Sequence, residues 1–438
     1  MFGLRGSCGT PEKIISFSRL SEEETQRINK ELRRLAQKGY RVLASASEKL
    51  SPSEALNIDL ENIKNKTISF SGLIALRDAL RKDVKKSIEI CAEAGINTII
   101  VTGDHKLTAQ AIAEEMGMKI DNSNIIDGGE LDEISDKELR ERIETIKVFA
   151  RVEPRHKIRI IGAWQSKGRV IAMTGDGIND APALKKADIG IAIGSGTEMA
   201  KEASDLILLD NKFSIIVAAV EEGRFIMDNI KKVITYLLSG GFAEVVLIGA
   251  SIMAGLPLPL TATQILWINL IEDSLPNMAL AFEPEEKDIM KNKPISKKAP
   301  LLTKEMKTII FVIGIVTDLI LLGLFFLLWH KTYDIDYVRT MIFACLAADS
   351  LFYVFSCESL RKNIWDINIF SNKPLLLAVG AGFLMLAISI YAPVFQELLK
   401  TVPLGITDWM IIIGLGLLEV LLIEAVKWFF IKNKKNKI

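Results

Sequence analysis

The chain has 438 residues, enough for two or three domains with buried cores. Its 54 basic and 54 acidic side chains give a formal net charge of zero, so no overall positive charge favours nucleic acid as a partner. The four cysteines form no C-x-x-C pair, which disfavours a zinc site or a disulfide framework. The first residues lack the apolar run of a signal peptide, so we expect a cytosolic, soluble first half.

Strand and helix patterns alternate between about residues 67 and 210. Helices are predicted at 82–94 and 106–116, and strands at 97–101, 169–173, 188–193 and 205–209. Such alternation predicts a parallel sheet, in which ligands bind beyond the carboxyl ends of the strands. Two T-G-D sequences fall at that edge: Thr102-Gly103-Asp104 and Thr174-Gly175-Asp176.

The T-G-D loops suit phosphate chemistry. Glycine lets the backbone approach a phosphate closely, and threonine hydroxyl and loop N–H groups can bind its oxygens. Asp176 and Asp180 lie four residues apart around a turn, and their hard oxygens suit the Mg²⁺ that assists phosphoryl transfer. Lys157 could supply a fixed positive charge. A single T-G-D equally describes an ordinary turn, whereas the run MTGDGINDAPAL from Met173 to Leu184 is far more specific.

Apolar residues, 49% of the chain, are concentrated after a charged helical segment at 214–232 that is typical of a solvated stalk. Six stretches could each cross a membrane as a helix of about 20 residues. They are residues 233–255, 263–282, 308–329, 337–356, 374–395 and 409–431. Lysine and arginine are frequent in alternate loops and in the tail, which predicts that both termini are cytosolic. Six apolar runs with this charge asymmetry disfavour the alternative that they are buried helices of a large globular core. Glu424 and Lys427 near the end of the last span are interpreted as a structural pair.

Polar side chains inside the first two predicted spans suggest a cation site. Glu244 lies in the first span, and Asn269, Glu272 and Asp273 share one helix face in the second. Acids at bilayer depth are costly and commonly functional, and these oxygens suit a hard cation such as Ca²⁺. Pro276 could break the helix and free carbonyl oxygens as further ligands. Alternatively, the acids satisfy one another or a buried lysine.

Four segments, LRDALRKDV, TGDHKLTA, FARVEPRHK and MTGDGINDAPALKKADIGIAIGSGTEMAKEASDLILLD, occur in this order and resemble P-type ATPases of the haloacid dehalogenase superfamily. The resemblance covers nearly the whole chain and points to the type II, calcium-pump branch. It implies the carboxyl-terminal half of such a pump: an α/β phosphorylation domain with a parallel sheet, followed by six transmembrane helices. The implied parts are a nucleotide-binding remnant at 1–66, the phosphorylation domain at 67–213, the stalk at 214–232, the membrane domain at 233–431 and a basic cytosolic tail at 432–438.

The resemblance also implies residue roles, with Asp176 binding Mg²⁺ and Lys157 stabilising the charge of the transferred phosphoryl group. The implied catalytic set is Thr102, Gly103, Asp104, Lys157, Asp176, Asn179 and Asp180. Arg41, Asp78 and Arg81 match segments near the nucleotide, so the implied cofactors are ATP and Mg²⁺. Two departures are Ala79, where the family usually has proline, and Cys8, where a K-G-x-P-E motif has lysine; the second weakens the expectation of intact ATP binding.

For the transported cation, the resemblance implies ligands at Glu244, Asn269 and Asp273. Glu272 occupies a position that is often threonine in calcium pumps, so an extra acid could alter ion preference or bind a proton. Asp349 is a plausible substitute for the family's acidic ligand in the fourth span, and Asp318 in the third span is a weaker candidate. Ca²⁺ is the expected ion, with Mn²⁺, Na⁺ and H⁺ as alternatives.

Several family segments are absent from the sequence: the phosphorylated D-K-T-G-T motif, the T-G-E motif and a proline-containing ligand segment. We therefore expect a gap or open edge in the parallel sheet and no aspartyl phosphate on this chain alone. Three interpretations stay open: part of an ATP-driven cation pump, a membrane-bound pseudo-pump or half of a split pump that binds magnesium, phosphate or a partner, and a membrane-anchored phosphatase. The expected partners are the transported cation, a lipid bilayer and the missing amino-terminal half. The expected location is the plasma membrane.

Overall fold

The computed structural model describes residues 3–50, 68–77, 79–284 and 288–435. They form two compact units. One contains Met1–Val220 with Met290–Lys298, and the other contains Glu221–Ile289 with Ala299–Ile438. The first unit mixes strands and helices, whereas the second is helical.

A three-stranded antiparallel sheet with two helices opens the first unit, and its strand order is β1-β2-β3. These elements are β1 (Gly3–Gly9), α1 (Pro11–Phe17), α2 (Glu22–Gln37), β2 (Arg41–Leu50) and β3 (Ser69–Leu76). Ser21 starts α2 with a capping box, in which its hydroxyl accepts from the Glu24 N–H and the Glu24 carboxylate accepts from the Ser21 N–H. A small core of Ile14, Ala44, Ala46 and Ile68 holds this part together.

Six parallel strands follow, and they form two sheets rather than the single predicted one. The orders are β4-β6-β5 and β7-β8-β9. The strands are β4 (Ile100–Val101), β5 (Ile125–Asp127), β6 (Val148–Ala150), β7 (Ala172–Gly175), β8 (Ile189–Ile193) and β9 (Leu206–Leu208). Among the described residues, the outer strands β4, β5, β7 and β9 each pair on one side only, so both sheets have open edges, as expected from the absent segment. Strands β4 and β7 begin later than predicted, because their first residues have no neighbouring strand.

Seven helices accompany these sheets. They are α3 (Val84–Glu93), α4 (Lys106–Glu115), α5 (Gly128–Glu133), α6 (Asp136–Arg142), α7 (Pro154–Ser166), α8 (Ala181–Lys186) and α9 (Glu198–Glu202). Phe149 of β6 and Trp164 of α7 are central to the largest core cluster of this unit. Helix α7 begins at Pro154. Proline suits a first turn because it lacks an N–H group, and an N–H at that position would have no partner within the helix. Since α7 follows β6, its first turn, with Lys157, lies at the carboxyl edge of that sheet.

One 41-residue helix, α10 (Phe213–Met253), contains both the predicted stalk and the first predicted span. The remaining helices are α11 (Ala262–Trp267), α12 (Ser274–Ala281), α13 (Lys304–Lys307), α14 (Gly314–Thr332), α15 (Ile335–Cys357), α16 (Lys373–Tyr391), α17 (Pro393–Leu399) and α18 (Ile406–Lys435). Two π-helical turns, Ile268–Glu272 and Thr308–Ile313, interrupt them.

Five helical stretches in the described residues have the length and apolar character to cross a membrane, not the predicted six. The second predicted span is divided instead into α11, the π-helical turn Ile268–Glu272 and α12. Pro276 has no N–H to donate to the carbonyl of residue 272, so the regular hydrogen-bond ladder fails in the turn before the proline. This span is present as an interrupted helical segment.

Helix α15 is the centre of the helical unit. In its most apolar window 78% of residues are buried, against 44% or less in the other four long helices. Beside its end, Glu424 and Lys427 of α18 form an ion pair of 2.6 Å with each side chain only 1% exposed. Lys427 also donates to the Ser356 carbonyl, and Glu424 accepts from the Asn363 side chain. The pair is therefore structural, as interpreted from the sequence.

Candidate functional site

The first T-G-D sequence forms an ordered turn directly after β4. The Thr102 N–H donates to the Phe149 carbonyl at 2.9 Å, and the Val152 N–H donates to the Thr102 carbonyl at 3.1 Å. The Thr102 hydroxyl accepts from the Asp104 N–H at 3.1 Å and donates to the Asp104 carboxylate at 3.2 Å. A side chain on Gly103 would meet no atom within 4 Å, so this face of the turn is open.

The second T-G-D sequence follows β7 and is organised by Asp180. The Asp180 Oδ2 accepts from the backbone N–H groups of Asp176 at 3.2 Å and Gly177 at 3.3 Å. A Cβ atom on Gly175 would lie 2.6 Å from the Asp180 Cβ, so only glycine permits this close approach. The loop is thereby folded around a carboxylate that is itself nearly buried.

Lys157 of α7 completes this arrangement. Its Nζ donates to the Asp180 Oδ1 at 2.5 Å, and the two side chains are 16% and 10% exposed. Burial raises the pKa of Asp180, but the hydrogen bond and charge of Lys157 together with the two loop N–H groups outweigh it, so the pKa is lowered overall. Because Lys157 follows β6 and Asp180 follows β7, this ion pair joins the loops of the two parallel sheets.

Asp176 is the carboxylate that stays available in this loop. Its side chain is exposed and makes no hydrogen bond or ion pair among the described residues, whereas both oxygens of Asp180 are occupied. The neighbouring Asn179 is also exposed. One free carboxylate with room for water fits Mg²⁺, which keeps several water ligands in most protein sites. The predicted roles of Asp176 as ligand and Asp180 as support are therefore compatible with the geometry.

The residues predicted near a nucleotide are not drawn into this site. Arg41 begins β2 and Arg81 precedes α3; both side chains are exposed and make no hydrogen bond in the described part of the chain. Asp78 lies outside the described residues. A contact that the sequence did not predict does link the two regions, since Arg151 pairs with Glu12 at 2.8 Å.

The polar residues in the first two spans meet in pairs. Asn269 in the π-helical turn donates its Nδ2 to the Glu244 Oε1 of α10 at 2.8 Å. Asp273 is 8% exposed and accepts from the Tyr236 hydroxyl at 3.1 Å. Gly240 leaves space beside Asp273, because a Cβ there would lie 3.5 Å from the Asp273 Oδ2. Tyr236, Gly240 and Glu244 are four residues apart, a helical spacing from which Tyr236 could have been predicted.

Asp349 is placed apart from these residues. It lines a small cavity together with Glu419, while its neighbour Ser350 is the α15 residue beside Asp273. Successive residues of an α-helix point about 100° apart, so Ser350 faces Asp273 and Asp349 does not. The side chain of Glu272 lies outside the described residues.

A cation site here would depend on amide, hydroxyl and backbone oxygens as well as acids. Within the part of the chain that the structure describes, no group of three or more His, Cys, Asp and Glu side chains could hold a metal ion. Asn269 nevertheless lies in the π-helical turn and Asp273 directly follows it, where unpaired carbonyl groups are expected, and Glu244 of α10 contacts Asn269 there.

Family models match both parts of the chain. Residues 12–188 match a family model described as haloacid dehalogenase-like hydrolase, and residues 159–219 match a second model with the same description. Residues 257–429 match the model of the C-terminus of cation transporting ATPases.

Curated relatives are calcium-transporting ATPases. Calcium-transporting ATPase 1 of Bacillus cereus is 39% identical over 93% of this chain and 47% of its own length. Calcium-transporting ATPase 1 of Saccharomyces cerevisiae is 36% identical over 98% of this chain and 46% of its own length. Calcium-transporting ATPase type 2C member 1 of Homo sapiens is 35% identical over 93% of this chain and 43% of its own length. The chain spans about half the length of these relatives, and it belongs to the P-type cation-transporting ATPases as an integral membrane protein that corresponds to their carboxyl-terminal half.

Proposed function

We propose that this chain is the carboxyl-terminal part of an ATP-driven pump that transports Ca²⁺ through an aspartyl-phosphate intermediate. The observation that carries the proposal is the buried contact between Lys157 and Asp180, which fastens the loop after β7 to the first turn of α7 and leaves the Asp176 carboxylate free. The acceptor aspartate is supplied from outside this sequence, which contains no D-K-T-G-T motif.

Each residue then has a limited task. The Thr102 turn, with the open face at Gly103, binds oxygens of the transferred phosphoryl group. Lys157 is held by Asp180 at the same edge and offsets the negative charge of that group. Asp176 holds Mg²⁺, which supplies charge neutralisation during the transfer. Asn179, Asp104, Arg41, Asp78 and Arg81 are proposed to support phosphate or nucleotide binding.

In the membrane, we infer a Ca²⁺ site built from Glu244, Asn269 and Asp273, with Glu272 as an added acid. The interrupted segment supports this, because it brings Asn269 to Glu244 and interrupts the helix at Asp273. Counting the interrupted segment as a crossing gives six, an even number that places both ends of the chain on the same side of the membrane. The lysine-rich alternate loops favour the cytosolic side. The proposed location is the plasma membrane.

The phosphorylation proposal is tested with two proteins: the chain alone, and a fusion of the amino-terminal half of the Bacillus cereus relative to this chain. With γ-labelled ATP and Mg²⁺, the fusion is expected to form an acid-stable, hydroxylamine-sensitive phosphoenzyme, and the chain alone is not. The same fusion with Asp176→Asn is the control and should lose the label. Hydroxylamine-sensitive label on the chain alone would contradict the role of an outside acceptor.

The ion is tested in the same fusion after reconstitution into vesicles. Ca²⁺ should stimulate ATP hydrolysis, and Glu244→Gln should weaken the apparent Ca²⁺ affinity at least tenfold because it removes a charged ligand. Glu397→Gln, an exposed acid in the same helical unit, is the matched control and should change little. Stimulation by Mn²⁺ or Na⁺ without stimulation by Ca²⁺ would refute the choice of ion.

The open strand edges favour a second candidate, half of a split pump. Strands β4 and β7 each lack a partner on one side among the described residues, and such edges readily accept a strand from another polypeptide. Co-expression with the separate amino-terminal half of the relative should then yield a complex that survives purification in detergent. Failure to co-purify, while the covalent fusion is phosphorylated, would exclude assembly from two chains.

A further inference from the structure

A buried histidine precedes Lys157 in the first turn of α7. His156 is 3% exposed, and both of its ring nitrogens have partners. Its Nδ1 accepts from the Glu153 N–H at 3.1 Å, and its Nε2 lies 2.9 Å from the Asp132 Oδ1 of α5. None of the residue roles given above uses these two contacts.

The two contacts determine which ring nitrogen carries the proton. A backbone N–H group can only donate, so the Nδ1 of His156 is the unprotonated nitrogen. The proton is therefore on Nε2, from which it is donated to Asp132. The other oxygen of Asp132, Oδ2, accepts from the Arg155 guanidinium at 2.9 Å. A neutral ring with its proton on Nε2 satisfies both contacts, whereas a neutral ring with its proton on Nδ1 satisfies neither.

The contact of the ring with Glu153 shapes the start of α7. His156 occupies the third helical position, from which a glutamate or glutamine side chain commonly returns to the N–H group at the N-cap. Successive helical residues point about 100° apart, so the ring faces α5 while the next side chain, Lys157, points in another direction. Fixing the ring therefore also fixes the direction in which Lys157 leaves the helix towards Asp180.

The turn before α7 is packed closely against the start of α5. A Cβ atom on Gly128, the first residue of α5, would overlap the Arg151 carbonyl oxygen and would lie 3.3 Å from the His156 Cε1. Arg151 has a φ of 48°, a left-handed conformation that is uncommon for a residue with a side chain. The surrounding contacts, that of His156 among them, must hold this turn in its strained form.

The same turn also carries the first T-G-D sequence. The Arg151 N–H donates to the Asp104 carbonyl at 2.9 Å, and the Val152 N–H donates to the Thr102 carbonyl at 3.1 Å. The turn at Thr102 is thus bonded to the residues just before α7, and Lys157 lies in the first turn of that helix. A change in the turn would be passed to both.

We propose that His156 is a positioning residue for Lys157. Held by Asp132, the neutral ring fixes the first turn of α7 and the turn before it, so that the lysine ammonium group stays at Asp180. The bearing of this arrangement on phosphoryl transfer rests on the function proposed above, whereas the orientation of Lys157 does not. A histidine that only filled a core would stabilise the domain without acting through Lys157.

Hydrogen exchange of the full chain in detergent separates these two roles in the loop after β7, residues 172–180. His156→Gln keeps a donor for Asp132 but removes the acceptor of the Glu153 N–H. Exchange in the loop should become about fivefold faster, the equivalent of one lost hydrogen bond. In a chain that already contains Lys157→Met, adding His156→Gln should cause no further acceleration in the loop. Further acceleration there, or none in the single variant, would overturn the proposal.

Substitutions of Asp132 test the same role from the other side of the contact. Asp132→Asn keeps an acceptor for the ring and should retain most of the protection of the loop, whereas Asp132→Ala should lose it about as far as His156→Gln. The Asp132 side chain is 44% exposed, so this pair keeps the test decisive if His156→Gln does not fold. His330→Gln, at an exposed histidine of the helical unit, is the control and should leave the loop unchanged. Equal protection in Asp132→Asn and Asp132→Ala would count against the proposal.

The fusion described above separates a failure of this inference from a failure of the proposed function. Where the native fusion is phosphorylated, His156→Gln should slow phosphoenzyme formation about fivefold at saturating ATP. The half-saturating ATP concentration should change less than about twofold, because the ammonium group acts on the transferred phosphoryl group. Equal rates in the two fusions would overturn the inference. A native fusion that takes up no label would refute the proposed function, and the exchange experiment would still decide whether His156 orients Lys157.

Discussion

Replacing Lys157 with methionine should loosen the connection between the two parallel sheets. Methionine keeps most of the side-chain volume but removes the ammonium group that donates to Asp180 at 2.5 Å. The nearly buried Asp180 carboxylate would then retain only the two loop N–H donors from Asp176 and Gly177. The loss should be concentrated in α7 and in the loop after β7.

The magnitude follows from distance and burial. Two unit charges 2.5 Å apart attract by about 6–7 kcal/mol at an effective dielectric constant of 20, and desolvation cancels a large part of that energy. Breaking a fully buried pair costs about 3–5 kcal/mol. Because Asp180 keeps two donors and the pair is slightly exposed, we expect Lys157→Met to cost about 2–4 kcal/mol of local stability.

Hydrogen exchange of the full chain in detergent measures this cost segment by segment. A loss of that size corresponds to roughly 30- to 900-fold faster exchange in α7, since each 1.36 kcal/mol is a factor of ten. Lys201→Met is the matched control, because Lys201 pairs at 2.8 Å with Glu198, whose side chain is 83% exposed, and should cost about 0.5 kcal/mol or less. Equal effects of the two substitutions would refute the reasoning. Adding Asp180→Asn to Lys157→Met should restore part of the loss.

Two further predictions concern charge and burial. The pKa of Asp180 is lowered from its ordinary 3.8, so its contribution to stability is fully present above about pH 4 and is lost as the pH falls through the lowered value. Hydrogen exchange in α7, corrected for intrinsic rates, should therefore accelerate at lower pH in the wild type. In Lys157→Met the acceleration should be much smaller. A similar acceleration in both proteins would argue against the assignment. Lys427→Met should destabilise the helical unit by about 3–5 kcal/mol, because it leaves the Glu424 charge buried, and Glu424→Gln in the same chain should recover much of it in thermal unfolding. An unchanged unfolding temperature in Lys427→Met would contradict a structural role for the pair.

Local motifs predicted the phosphate-type loops well. The turn at Thr102 and the loop at Asp176 both follow strands, as the alternating pattern predicts, and Asp180 lies where its spacing placed it. These features depend on short-range geometry: a glycine where atoms approach closely, and a carboxylate four residues from the N–H that it accepts. The ion pair between Lys157 and Asp180 is not predicted by the sequence, which indicates only that Lys157 supplies a positive charge to a phosphoryl group.

Features that depend on distant neighbours were not predictable in the same way. A strand exists only where another strand pairs with it, so β4 and β7 begin later than their β-branched runs suggest. The choice between Asp349 and Ser350 as neighbour of Asp273 depends on the rotation of α15, which hydrophobic patterns do not determine to within one residue. Hydrophobicity also located the second span but not the π-helical turn within it.

That π-helical turn, Ile268–Glu272, has a mechanical consequence. A π-turn accommodates one residue more than an α-turn, so a change to α-helical pairing would rotate everything on one side of it by about 100° and shift it by about 1.5 Å. Asn269 lies within the turn and Asp273 directly follows it. A change of one hydrogen-bond register would therefore turn these two side chains relative to each other, giving this segment two alternative ways to present its oxygens to α10.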